Sequence, residues 1–184
     1  TLKKYPFEFE LQLIYTLNEN SLDLEYKVIN KGEEKMPFSI GAHPAIALPD
    51  NFEDYAIKFE KEESLKYNLL ENDLISSKTK VLETSDGIIP LNYELFKNDA
   101  LVFKSLGSKS LTILKNANPY IQVGYKGFPR LGIWTKENAP FICIEPWFGY
   151  SDTADNSGDL FKKEGILVLD AGQKFHSQFS IKVL

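Results

Sequence analysis

The fold class follows from residues 7–28, FEFELQLIYTLNENSLDLEYKV, in which apolar and polar side chains alternate on both sides of the NENS segment at residues 18–21. Successive side chains of a β-strand point to opposite faces, so this alternation predicts two strands, each with one apolar and one polar face. The NENS segment is suited to a turn. We therefore expect a hairpin that packs one face on a core and leaves the other in water.

Strand-length apolar or aromatic runs continue to the end of the chain. No stretch of about 12 residues carries the apolar stripe of a helix, and the best helical candidate is a single turn at residues 93–97. Repeats of fixed period are absent, which argues against a propeller or a solenoid. The sequence predicts an all-β fold, a sandwich or barrel of many short antiparallel strands. The further expected strands are residues 55–59, 65–69, 101–103, 111–114, 120–125, 131–134, 141–145, 166–169 and 175–183.

Length and composition indicate one domain over residues 1–184. Hydrophobic residues make up 43% of the 184 residues and aromatic residues 13%, which is enough to build a core. No low-complexity linker divides the chain. The polar segment 149–165 is interpreted as a long loop between strands, most simply a solvated one, although it could close over a ligand.

Charge and cysteine content exclude several functions. The net charge of −5, with Arg130 as the single arginine, argues against binding to a nucleic-acid backbone. Cys143 is the single cysteine, so an intrachain disulfide is impossible and a reducing compartment is favoured. No apolar run reaches the roughly 20 residues of a membrane span, and no signal peptide is recognisable. We expect a cytoplasmic protein without a membrane or nucleic-acid partner.

The two histidines differ in their surroundings. His176 falls on the polar face of the last expected strand and is interpreted as a surface residue. His43 lies in the apolar segment 38–46, where Pro44 restricts its backbone to an extended conformation. The residues alone leave two possibilities open for His43: a core histidine satisfied by a backbone carbonyl, or an oriented catalytic imidazole.

A second candidate site lies in residues 139–149, APFICIEPWFG, where an apolar strand leads into Glu145. Partial burial of this carboxylate would raise its pKa towards the range of a general base, whereas a strand-end glutamate paired with a lysine is the alternative. Cys143 is expected to be a small buried residue rather than a nucleophile. No metal-ligand spacing, phosphate-binding loop or Gly-x-Ser-x-Gly motif occurs, so we expect no metal and no cofactor.

The sequence resembles the aldose 1-epimerase (galactose mutarotase) family, in particular its LacX-like branch. The resemblance is carried by PFSIGAHPA at residues 37–45 and, about 100 residues later, PFICIEPWFG at residues 140–149. Segments 98–101, 127–134 and 163–166 support it in the same order. It implies an antiparallel β-supersandwich of the galactose mutarotase type and interconversion of the α and β anomers of a free hexose such as galactose.

By match of position, the resemblance implies a role for each of three residues. His43 corresponds to the general acid at the ring oxygen, Glu145 to the general base at the anomeric hydroxyl, and Asp99 to a carboxylate that binds sugar hydroxyls. Acid and base are expected on opposite sides of the ring. Trp147 is the preferred aromatic platform for the sugar, ahead of Trp134 and Phe148, any of which could instead belong to the core.

The sequence also departs from the family pattern. Members carry about a hundred residues ahead of the His43 region, including sandwich strands, a second active-site histidine and an arginine. Neither that histidine nor that arginine can be located in this sequence, because His176 and Arg130 do not match them by position. The resemblance thus implies the C-terminal two thirds of the domain, with exposed strands that favour a homo-oligomer. A non-catalytic carbohydrate-binding module remains the alternative, and a glycoside hydrolase using Glu145 and Asp99 is a weaker third.

Overall fold

The computed structural model describes residues 2–184 and contains sixteen β-strands, together with three single turns of 3₁₀ helix at Phe52–Asp54, Tyr93–Phe96 and Leu160–Lys162. The described residues include no α-helix. The strands are β1 Phe9–Leu17, β2 Ser21–Asn30, β3 Met36–Phe38, β4 Ile40–Gly41, β5 Ala45–Ala47, β6 Tyr55–Phe59, β7 Leu65–Glu71, β8 Leu74–Leu82, β9 Ile88–Pro90, β10 Leu101–Phe103, β11 Ser110–Lys115, β12 Asn118–Gly124, β13 Arg130–Trp134, β14 Phe141–Phe148, β15 Leu167–Leu169 and β16 Lys174–Val183.

Two large sheets form the sandwich, and their named strand pairs are all antiparallel. The first sheet has the order β1-β2-β16-β12-β11-β6-β9. The second has the order β4-β14-β13-β10-β7-β8, with β5 also paired to β14, and β15 and β3 form a separate small ribbon. Neighbouring strands are often distant in sequence: β2 pairs with β16, and β4 with β14. The candidate site is built on β14, next to an edge of the second sheet.

The main core fills the space between the two large sheets. Phe103 and Leu131 of the second sheet and Leu111, Ile113 and Val123 of the first are among its fully buried members. In β11, buried Leu111 and Ile113 alternate with less buried residues, as the period-two pattern requires, whereas β10 is buried along its whole length. Burial of these side chains is the main source of stability, at roughly 1.5–3 kcal/mol for each large apolar residue.

The first hairpin forms as expected, because β1 pairs with β2 from Phe9–Asn30 to Leu17–Leu22. The expectation of a single wet face is wrong for β1. Its apolar side chains remain exposed, Leu17 by 82%, because β1 is the outermost strand of its sheet and lies beyond the packed part of the sandwich. The exposed apolar face of β1 consists of Phe9, Leu11, Leu13, Tyr15 and Leu17.

The remaining elements agree with the sequence pattern in most places. The helical turn at residues 93–97 is the 3₁₀ turn Tyr93–Phe96, whose first turn is capped by Asn92 through Leu95 N–H. The segment 149–165 is a loop that contains no strand and one 3₁₀ turn. Strands β3, β4, β5, β8 and β9 were not expected; four of them have only two or three residues, too few to show alternation. No helix between residues 2 and 184 has the length and hydropathy that crossing a membrane requires.

Candidate active site

Three side chains of β14 point into one site. Cys143, Glu145 and Trp147 are separated by two residues each, so they share one face of the strand. Glu145 lies inside β14 rather than at its end, because the strand continues to Phe148. The flanking strand β13 places Gly132 opposite Glu145, and this glycine leaves room above the sheet.

The His43 segment is attached to β14 by backbone hydrogen bonds on both sides of the histidine. Ala42 N–H donates to the Pro146 carbonyl at 2.9 Å, and Ile144 N–H donates to the Pro44 carbonyl at 3.2 Å. Pro44 has no N–H of its own and keeps the chain extended. These two bonds set the position of the imidazole beside Glu145.

His43 and Glu145 form a direct ion pair or hydrogen bond. His43 Nδ1 lies 2.8 Å from Glu145 Oε2, and the side chains are 65% and 9% exposed, respectively. The core-histidine interpretation is therefore wrong, and so is the lysine-paired interpretation of Glu145. The two groups lie side by side, whereas we expected them on opposite sides of a sugar ring.

Burial controls the ionisation of Glu145. Desolvation is the largest influence and raises the pKa of this carboxyl, and the nearby Asp99 charge acts in the same direction. The His43 charge and the Trp147 side chain lower the pKa, but the net direction is upward. A carboxylate with a raised pKa is a better proton acceptor near neutral pH than an exposed one. Glu145 thus lies in the partly dry surroundings that the sequence predicted for it.

Two glycines make room for the Trp147 indole. A Cβ added at Gly132 would lie 2.4 Å from Trp147 Cη2, and one added at Gly41 would lie 2.5 Å from Trp147 Cδ1. Real Cβ atoms do not approach other atoms so closely, so glycine is required at both positions for the ring to occupy this place. This packing keeps the indole beside Glu145 instead of free in the cavity.

A cavity of about 590 Å³ brings all four predicted site residues together. His43 and Glu145 line it, as do Asp99 and Trp147. Asp99 has a positive φ of 80°, and its Oδ1 accepts a 2.6 Å hydrogen bond from Ala100 N–H, which fixes the carboxylate at the exposed rim. The wall also includes both other aromatic candidates and the start of the 149–165 loop: Trp134, Phe148, Gly149, Tyr150 and Ser151.

Cys143 is buried, as expected, with 1% of its surface exposed. Burial raises the pKa of the thiol to about 11, and the Glu145 charge acts in the same direction. The sulfur lies 3.8 Å from His43 Nε2. The sequence shows no metal-ligand spacing, but the fold brings one ligand atom from each of His43, Cys143 and Glu145 within 4.8 Å of the others.

The other two residues weighed in the sequence lie outside the cavity lining. His176 is on the surface, as expected, and its Nε2 lies 3.0 Å from Glu25 Oε2. Arg130 stacks on the Tyr150 ring, with its guanidinium carbon 4.8 Å from the ring centre. It therefore contacts Tyr150, which lines the cavity, and it lies opposite Trp147 in the pairing of β13 with β14.

Sequence reasoning missed the small residues of the site, and it included Tyr150 only as an unnamed member of the segment 149–165. Gly41 and Gly132 have no chemistry of their own, and their spacing from Trp147 along the chain gives no sign of contact. Tyr150 follows directly after the PWFG motif, which is the signal that could have included it. Ser39 also lines the cavity, opposite Gly149.

The chain is similar to known proteins along most of its length. The family model described as aldose 1-epimerase matches residues 1–167. Two LacX proteins of Lactococcus lactis subsp. lactis, one chromosomal and one plasmid-borne, are each 35% identical over 187 aligned positions, which cover 94% of this chain and 62% of theirs. The chain thus spans less than two thirds of the length of these relatives.

Solved structures show the same fold. A galactose mutarotase related enzyme from Lactobacillus acidophilus superposes with a TM-score of 0.92 at 31% identity, covering 100% of this chain and 64% of that one. A galactose mutarotase-like protein from Lactobacillus casei ATCC 334 gives 0.87 at 26% identity, covering 100% and 66%. The expected mutarotase-type β-sandwich is confirmed.

Proposed function

The chain belongs to the aldose 1-epimerase family, and on this premise we propose that its cavity interconverts the α and β anomers of a free hexose. The observation that carries the proposal is the contact between an exposed imidazole and a buried carboxylate, 2.8 Å apart, in a cavity wide enough for one sugar ring. The relatives are longer than this chain, so the activity is proposed for the protein that contains this site.

The chemistry needs one proton removed and one delivered. Glu145 accepts the proton of the anomeric hydroxyl while protonated His43 donates a proton to the ring oxygen, and the bond from the anomeric carbon to the ring oxygen breaks. The open-chain aldehyde rotates, and the reverse transfers close the ring as either anomer. Both oxygens are bonded to the same carbon, so an acid and a base that lie side by side can reach them together.

The remaining site residues position the sugar. Asp99, at the rim, accepts hydrogen bonds from sugar hydroxyls, and the indole of Trp147 covers the apolar face of the ring. The Nδ1 contact between His43 and Glu145 orients both groups before the substrate enters, and sugar oxygens then replace it. Ring opening and ring closure use only this acid and this base, so the reaction needs no cofactor.

Mutarotation of freshly dissolved α-galactose or α-glucose, followed by polarimetry or NMR, tests the proposal. We expect the protein to accelerate the approach to anomeric equilibrium, and His43→Ala and Glu145→Gln each to remove a factor of about 10²–10⁴. His176→Ala and Glu25→Gln are matched controls, because they alter the surface His–Glu pair of similar geometry. No acceleration by the protein, or equal losses in the control variants, would refute the assignment.

A non-catalytic carbohydrate-binding module is the second candidate. It is favoured by the aromatic lining of the cavity, Trp134, Trp147 and Phe148, which can hold the apolar face of a sugar without any proton transfer. Saturable sugar binding without any change in the rate of mutarotation would support it. Loss of that binding in Trp147→Ala would locate it in the same cavity.

A further inference from the structure

One buried reactive group has no part in the proposed reaction. The Cys143 thiol lies 3.8 Å from His43 Nε2, while His43 Nδ1 lies 2.8 Å from Glu145 Oε2. The imidazole is therefore held between a carboxylate on one ring nitrogen and a sulfur on the other. A nucleophilic role is disfavoured, because the thiol is fully buried and no substrate atom could reach it.

We propose that His43, Cys143 and Glu145 form a binding site for a thiophilic divalent cation, with Zn²⁺ as the ion whose ligand preferences they match. Imidazole nitrogen, thiolate sulfur and carboxylate oxygen are the ligands that zinc takes in proteins. Within residues 2–184, this is the one group of His, Cys, Asp or Glu side chains found to have the spacing of a metal site.

The distances suit an ion of this size. Zinc binds sulfur at about 2.3 Å and nitrogen or oxygen at about 2.0–2.2 Å, so two ligands of one tetrahedral ion lie about 3.3–3.6 Å apart. The sulfur-to-nitrogen distance of 3.8 Å is close to this separation. All three ligand atoms lie within 4.8 Å of one another, so a shift of about 1 Å, made mainly by the imidazole, brings them onto one ion.

The architecture allows that shift. Cys143 and Glu145 are fixed on the same face of β14, whereas the His43 side chain is 65% exposed and its ring can turn without disturbing the core. Three protein ligands leave a fourth position open towards the cavity, for water or a sugar hydroxyl. An ion at this place binds both the imidazole and the carboxylate, so it inhibits mutarotation. The inhibition rests on the proposed function, whereas the metal site itself does not.

Titration with Co²⁺, a spectroscopic substitute for Zn²⁺, tests the site in the reduced protein. We expect one ion per chain, with a thiolate-to-cobalt charge-transfer absorption that Zn²⁺ abolishes by displacement. Because Cys143 is the single cysteine, this absorption can arise only from its sulfur. His43→Ala should weaken Zn²⁺ binding at least about tenfold, as expected for loss of a ligand.

The matched control is His176→Ala, which alters a His–carboxylate pair that has no sulfur beside it. It should leave the cobalt spectrum and the zinc affinity unchanged. The site is refuted by a wild-type spectrum without the charge-transfer absorption at saturating Co²⁺, or by an unchanged zinc affinity in His43→Ala. Metal binding as described in a protein that accelerates no mutarotation would uphold the site and reject the proposed function instead.

Discussion

Replacing Gly132 by alanine should destabilise the protein through a collision with Trp147. The added Cβ would lie 2.4 Å from Cη2 and 2.5 Å from Cζ2 of the indole, whereas ordinary contacts begin at 3.4 Å. The overlap of about 1 Å meets a rigid ring whose other edge is blocked by Gly41, so ring and strand must move together. Overpacking of this kind costs about 1–3 kcal/mol of unfolding free energy.

The assay is urea unfolding followed by tryptophan fluorescence and circular dichroism. With a slope of about 2 kcal/mol per molar urea, a loss of about 2 kcal/mol lowers the unfolding midpoint by about 1 M. Gly32→Ala is the matched control, because its added Cβ would meet its nearest atom at an ordinary 3.5 Å. That variant should change the midpoint little.

A double-mutant cycle isolates the cause. In a Trp147→Ala background the ring is absent, so Gly132→Ala should become neutral, or stabilising by up to about 1 kcal/mol because alanine restricts the unfolded chain more than glycine does. Equal costs of Gly132→Ala in both backgrounds would refute the reasoning, since the glycine would then be required by something other than the indole.

Three further outcomes are expected. Glu145→Gln should flatten the pH dependence of the unfolding free energy. Burial raises the folded-state pKa of Glu145 above its ordinary 4.5, so the wild type loses stability as pH rises from 4.5 through the raised pKa. Unfolding free energies from urea that change with pH equally in the wild type and the variant would contradict this. Asn30→Ala should lower the unfolding free energy by about 1–3 kcal/mol in urea unfolding, because the buried Asn30 amide donates to the carbonyls of Glu34, Leu169 and Asp170. Asn118→Ala removes an exposed amide that bonds one carbonyl, so this control should cost far less. Leu13→Lys should reduce self-association, measured by analytical ultracentrifugation, because it places a charge in the exposed apolar face of β1. Gln12→Lys, on the opposite face of the strand, should not. Equal effects of the two substitutions would argue against association through the apolar face.

The outermost strand of the first sheet, β1, presents five large apolar side chains to solvent. Isolated apolar residues on a surface need no explanation, but a continuous stripe along an edge strand favours association. We therefore expect copies of this chain to associate through the exposed apolar face of β1.

Much of the fold could be predicted because the strand signal is local. Alternation with period two is visible within each strand segment. The hairpin of β1 and β2 and long strands such as β16 could therefore be predicted from a few neighbouring residues. Strands of two or three residues, such as β4 and β5, contain too little of that pattern. They are held in place by pairing with β14, which no local window can show.

By itself, the sequence determined the all-β class, the family and the candidates His43, Glu145, Asp99 and Trp147. Alternation and motif order depend only on the order of residues along the chain, so they need no knowledge of which strands pair. Only the tertiary structure decided that His43 is exposed, that it contacts Glu145 directly, and that Cys143 lies on its other side. These contacts join residues about 100 positions apart. They depend on strand order and on register in the sheet, where a shift of one residue would turn Glu145 to the opposite face.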